Sequence, residues 1–182
     1  MPLRMEPESV RRVFEGKLIS VEVESWPENK DREVVRHPGS CAVLAFTGGD
    51  DVILVRQFRE AVRNELLEIP AGIMDEPGEG PDSCAARELL EETGYRITEM
   101  EPLGRFFATP GVSDESFDLF VGRAEATDAS LDEHVEVVPM PFGEAVEAAH
   151  RGDLTDAKTV IALFLTQNRP GYAGRRPGLE EP

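Results

Sequence analysis

Between Gly80 and Tyr95 the chain reads as a helix with both ends marked, and that helix dictates what the rest must provide. Pro81 suits the first helical turn, where a missing N–H is no loss, and Gly94 suits the left-handed stop after the last turn. At about 100° per residue, with Ala85 at the origin, Ala86, Leu89 and Leu90 complete one apolar arc of roughly 140°. Glu88, Glu91 and Glu92 fall on the neighbouring arc of about 100°. An apolar arc that wide needs a core to lie against, with the carboxylates beside it.

Strands to build that core are legible on both sides. Leu18 to Glu24 and Arg32 to His37 read as a hairpin pair. Cys41 to Phe46 and Val52 to Phe58 read as another, across the turn-prone Thr47-Gly48-Gly49-Asp50. Leu66 to Ile69, Arg105 to Ala108, Phe117 to Val121 and Val135 to Val138 are further strand candidates. Two more helices are expected, from Gly143 to Arg151 with Gly152 as its stop, and from about Asp156 to Gln167. Many strands with few, separated helices give an α+β chain, a mixed β-sheet flanked by helices with an N-terminal antiparallel strand region. Residues 1–13 are expected to be a flexible N-terminus, 14–40 the N-terminal strands, 41–168 the main domain and 169–182 a flexible tail rich in Pro, Gly and charge.

Composition removes several classes of function. The 182 residues are 40% hydrophobic, enough for one buried core. Nineteen basic against 36 acidic residues leave a net charge of −17, which repels nucleic-acid backbones and anionic lipid. No apolar run approaches a membrane span and Met1 to Val10 has no apolar signal region, so the expectation is a cytoplasmic protein with no membrane or nucleic-acid partner. Cys41 and Cys84 lack metal-ligand spacing and read as free thiols in a reducing compartment.

The carboxylates raise a chemical question. Glu88 and Glu92 stand at i,i+4, where like charges cost a few tenths of a kcal/mol even in water and more in a cleft. A cation would offset that cost, and oxygen ligands alone favour a hard ion such as Mg²⁺ or Mn²⁺. On the helix alone the same pattern also fits an acidic stripe facing solvent. Upstream, Glu68-Ile69-Pro70-Ala71-Gly72 adds a strand end and a flexible turn whose backbone carbonyl can join an ion.

Taken together, Gly72, Glu79 and Arg87-Glu88-Leu89-Leu90-Glu91-Glu92-Thr93-Gly94 resemble the signature of the Nudix hydrolase superfamily, with Tyr95 at a usually aliphatic last position. Between Gly72 and Glu79 the chain carries one residue more than the usual pattern, expected to be absorbed in the turn Asp75-Glu76-Pro77-Gly78. The resemblance implies a Nudix fold, a mixed sheet sandwiched between helices. It also implies hydrolysis of a nucleoside diphosphate linked to another group, with two or more divalent cations per site. On that resemblance Glu88 and Glu92 are the principal metal ligands, Glu91 supports them and the Ala71 carbonyl adds a ligand. Glu79 and Arg87 tie loop to helix, with Gly72 and Gly94 structural.

Phe14 to Leu18, Glu33 to Gly39, Val55 to Arg59, Leu67 to Gly72, Thr109 to Glu115 and Gly152 to Thr159 further resemble the ADP-ribose pyrophosphatase branch, across about Phe14 to Leu165. Pro110 stands where that branch places a proline. The expected activity is Mg²⁺-dependent conversion of ADP-ribose and water to AMP and ribose 5-phosphate. Arg59, or Arg56 on the opposite strand face, is the candidate phosphate arginine, and Glu115 resembles the acid that contacts the terminal ribose. Glu133, in Leu131 to Glu136, is the candidate base or further metal ligand, so Glu91, Glu92 and Glu133 form the catalytic set, with Asp132 as a substitute. Members of the branch are homodimers that exchange N-terminal strands, here expected from Phe14 to His37. The rivals are a pyrophosphatase of another nucleoside diphosphate sugar or dinucleotide, and a catalytically silent domain that senses ADP-ribose.

Overall fold

The computed structural model describes residues 5–28, 30–129 and 135–172. In chain order the elements are β1 (Ser9–Glu15), β2 (Ser20–Trp26), β3 (Lys30–Arg36), β4 (Ser40–Phe46), β5 (Asp51–Arg59), β6 (Asn64–Glu68) and β7 (Ala71–Ile73). There follow α1 (Pro81–Thr93), β8 (Tyr95–Phe107), β9 (Ser116–Ala126), β10 (Glu136–Pro141), α2 (Phe142–Arg151) and α3 (Ala157–Thr166). Strands β1 to β3 form an antiparallel three-stranded sheet. The other seven form a mixed sheet ordered β10-β5-β4-β9-β8, with β6 on β5 and β7 on β4, and β4 parallel to β9.

Strand β4 is buried along its whole length and its alternation builds two cores. Ala42, Leu44 and Phe46 join Leu54, Leu119, Ala145 and Leu163 on the α2/α3 face. Cys41, Val43 and Ala45 join Ile53, Cys84, Ala85 and Leu89 on the α1 face. The sheet therefore lies between helices, as the Nudix resemblance implies. Helix α1 begins at Pro81 and ends on Gly94, whose φ of 71° is the left-handed conformation that glycine adopts freely.

Strands β4 and β5 touch at one ladder pair, Phe46 with Val52, and then splay apart. The expected hairpin is therefore real only at its turn. Residues 64–73 fill the wedge: β6 runs along β5 with Val55 opposite Glu68, and β7 runs along β4 with Ala42 opposite Ala71. Ile69 and Pro70 sit at its apex.

Three expectations change. Ser9–Glu15 forms β1 on the edge of β2, although residues 9–13 read as flexible. Every residue of that strand is exposed, so ladder pairing holds it and no apolar alternation could announce it. Strand β8 begins at Tyr95, well before the expected start at Arg105, and carries register shifts between Ile97 and Glu99 and between Pro102 and Gly104. Within the expected tail, Tyr172 packs on Phe46 with ring centroids 5.3 Å apart, and the Arg123 guanidinium lies over its ring.

The cysteines are also corrected: Cys41 and Cys84 are joined in a disulfide, and not free. Alternation turns Cys41 toward α1, and Cys84 opens the buried face of that helix, which brings their Cα atoms to 6.4 Å. Closing a loop across 43 residues stabilises by about 4 kcal/mol on the chain-entropy account. Denatured without reductant, the protein should take up no iodoacetamide, and reduction should lower its melting temperature; alkylation of both cysteines before reduction would contradict the pairing.

Candidate active site

The wedge apex lacks ladder partners, and side chains from both helix layers satisfy its donors. The Ile69 N–H donates to Thr159 Oγ1 of α3 at 2.9 Å, and the Ala71 N–H donates to Glu92 Oε2 of α1 at 3.2 Å. The Pro70 carbonyl accepts from the Val43 N–H at 3.1 Å. Gly72 lies under Glu88 so closely that a Cβ there would stand 1.9 Å from the carboxylate carbon. Only glycine permits that approach.

Glu88, Glu92 and the Ala71–Gly72 backbone are thus brought together. Glu92 is 9% exposed, because its position on the helical wheel borders the Ala85–Leu89 face. Burial pushes its carboxyl up to about 7; the Glu88 charge adds to the rise, while the Ala71 N–H and Arg59 oppose it. Burial likewise raises the Glu88 carboxyl, against the hydrogen bond from Arg87. Two desolvated carboxylates one turn apart are a place short of positive charge. Their oxygens suit a hard divalent cation, so the residues present fit the ion that the resemblance implies. Glu91 does not join them: its side chain is 57% exposed and pairs with Arg87 at 3.0 Å. Among the described residues no three His, Cys, Asp or Glu side chains converge as a ready ligand cluster. Glu133 and Asp132 lie outside the described residues.

Arg87 ties the loop to the helix. Its Nε and Nη2 donate to the two oxygens of Glu79, each at 3.0 Å, and its Nη1 donates to Glu88 at 2.7 Å. The Arg87 bonds hold the Glu79 carboxyl below its usual range. In the turn before Glu79, the Glu79 N–H donates to the Glu76 carbonyl and Gly78 takes a φ of 82°.

The two arginines part as strand alternation requires. Arg56 donates through Nε to Glu136 of β10 at 2.9 Å, close to the end of the segment that contains Glu133. Arg59 donates through Nε and Nη2 to the two oxygens of Glu68, each at 2.7 Å, and its charge reaches Glu92. Glu68, 1% exposed, was not singled out from the sequence. Its signal was there: a charge within the apolar run Leu66-Leu67-Glu68-Ile69 demands a buried partner.

Pro110 and Glu115 lie on the loop that leads into β9. Loop 109–115 joins the N-terminal sheet through Arg36 with Asp114 at 3.1 Å, the His37 N–H donating to Asp114 at 2.9 Å, and a bridge between Val35 and Ser113. Between them opens a cleft of about 680 Å³ lined by Trp26, Arg36, Phe107 and Pro110 among others; neither the carboxylates nor Glu115 line it.

Because the folded Glu92 carboxyl titrates near 7 against 4.5 when unfolded, the native state holds the extra proton between those values and loses stability as pH rises through them. Without divalent ions, the melting temperature of the unaltered protein should fall across that window relative to Glu92→Gln. Parallel pH profiles would contradict the burial argument.

A family model of the NUDIX domain matches residues 35–163. The chain is 37% identical over 165 residues to the ADP-ribose pyrophosphatase of Bacillus subtilis (strain 168), covering 86% of this chain and 89% of that protein. It is 35% identical, with the same coverage, to the methanol dehydrogenase activator of Bacillus methanolicus. It is 37% identical to the GDP-mannose pyrophosphatase of Cronobacter sakazakii, over 77% of this chain and 83% of that one. A crystal structure described as an ADP compounds hydrolase superposes with a TM-score of 0.72 over 92% of this chain and 95% of that chain, and at 23% identity shares the fold. Among the described residues no helix is long and apolar enough to cross a membrane. With Gly72 lying under Glu88, with Arg87 joining Glu79, Glu88 and Glu91, and with kinship across most of its length, the chain belongs to the Nudix hydrolase family.

Proposed function

We propose that the enzyme hydrolyses ADP-ribose to AMP and ribose 5-phosphate with Mg²⁺, for which Mn²⁺ can substitute. The observation that carries this reading is the desolvated Glu88 and Glu92 pair held against the Ala71–Gly72 backbone. Two or more cations bound by those carboxylates and the Ala71 carbonyl would supply Lewis-acid neutralisation of the pyrophosphate charge. The protein's own residues do the rest. Arg59, fixed sideways on Glu68, offers its remaining guanidinium edge to a phosphate oxygen. Glu133 takes a proton from the attacking water as its oxygen bonds to phosphorus, and the bridging P–O bond breaks toward the departing phosphate. Glu91 supports the ligand carboxylates through Arg87, which it shares with Glu88, while Glu115 accepts from the terminal ribose and Pro110 borders the substrate.

The kinship to a GDP-mannose pyrophosphatase favours, as a second reading, the same cleavage on another nucleoside diphosphate sugar. We also read the exposed apolar residues Val10, Val13, Phe14 and Leu18 as the face of a homodimer formed through the N-terminal strands. Light scattering should give twice the monomer mass, and a monomer would reject that assembly.

A panel of ADP-ribose, other ADP-sugars, GDP-mannose, NADH and diadenosine polyphosphates should give ADP-ribose the highest kcat/KM, with AMP as product. EDTA should abolish turnover and Mg²⁺ restore it. Glu92→Gln should lower kcat on the order of 10²- to 10³-fold with the fold intact. Glu133→Gln should lower kcat more than it changes KM. Higher kcat/KM on GDP-mannose would select the second reading, and metal-independent turnover would defeat both.

A further inference from the structure

The first turn of α3 holds a lysine that helix electrostatics do not explain. Lys158 stands where the helix N-terminus already carries positive partial charge, an unfavourable place for a cation. Its Nζ donates to Asp156 Oδ1 at 2.7 Å and lies 3.8 Å from Glu68 Oε2, the oxygen that also accepts from Arg59 Nη2. Asp156 caps the helix with its other oxygen, accepting from the Thr159 N–H at 2.9 Å and hydroxyl at 2.7 Å. The same hydroxyl accepts the Ile69 N–H at the wedge apex.

Two buried anions, Glu68 and Asp156, are thus matched by two partly exposed cations, Arg59 and Lys158. The count decides where Arg59 rests. With Lys158 present, Asp156 has its own cation and Glu68 keeps both oxygens on one side of the guanidinium. Without it, Asp156 would join Glu68 and Glu92 in drawing on the single charge of Arg59, which the charges of all three already reach.

We propose that Lys158 is a positioning residue for the diphosphate: by neutralising Asp156 and backing Glu68, it keeps the outer edge of Arg59 turned to the substrate. This rests on the reading of Arg59 as the phosphate arginine.

The test measures kcat, KM for the preferred nucleotide of the panel and melting temperature in Lys158→Met, Lys158→Gln, Lys158→Arg, Arg59→Lys and the double variant Arg59→Lys/Lys158→Met. Both charge removals should raise KM about five- to twentyfold with kcat changed less than about threefold, and Lys158→Arg should restore KM. The double variant should be no worse than Arg59→Lys, because both changes act through one group. A lowered melting temperature with unchanged KM in Lys158→Met and Lys158→Gln would leave Lys158 a structural residue and overturn the proposal. Multiplying effects in the double variant would also overturn it. Unchanged KM in Arg59→Lys would instead overturn the Arg59 assignment beneath it, and Lys158's role with it.

Discussion

The divergence of two neighbouring strands organises this molecule. Where β4 and β5 separate, the sheet would expose backbone donors and acceptors inside a core, which no fold tolerates unanswered. A crossing segment fills the gap with its own short ladders, yet at Ile69 and Ala71 the ladders run out. The missing partners are a threonine from one helical layer and a glutamate from the other. Thr159 and Glu92 thereby fix the stretch from Ile69 to Ala71 from opposite helical layers, and Glu92 is held against that backbone by a structural need that precedes any catalysis.

Charge follows from that arrangement. Burying Glu92 and crowding Glu88 onto Gly72 leaves negative charge where water is scarce, within a protein of net charge −17. Arginines respond at the borders. Arg87 spreads over Glu79, Glu88 and Glu91, while Arg59 is spent on Glu68. Neither neutralises Glu92 directly. The deficit left there is what a divalent ion suits, and it separates this buried pair from an acidic stripe facing solvent.

Much of this was legible in the residues. The ends of α1 were written in Pro81 and Gly94, and its two faces in the 3.6-residue repeat, because local chemistry alone decides them. Most strands that alternate or run apolar lie near their expected bounds, but β8 starts at Tyr95 instead of Arg105 and β9 runs on to Ala126. What escaped depended on partners distant in sequence. Strand β1 buries nothing and exists only as the edge of β2. The splay of β4 from β5 is decided by residues 64–73, not by the hairpin's own sequence. The disulfide needed a helix face and a strand face set opposite each other, 43 residues apart. Within the site, Gly72, Glu79, Arg87, Glu88 and Glu92 were identifiable, whereas the outward turn of Glu91 toward Arg87 and the pairing of Arg59 with Glu68 are matters of side-chain packing that no spacing records.

Arg36 grips Glu22 and Glu24 on the N-terminal sheet with one side of its guanidinium and Asp114 with the other. Loop 109–115 is consequently no independent flap: Asp114 fastens it to Arg36 and to the His37 N–H, and Val35 bonds to its backbone at Val112 and Asp114. The cleft between loop and three-stranded layer is therefore walled by parts bonded to each other, and a tilt of that layer carries Pro110 along with the opposite wall.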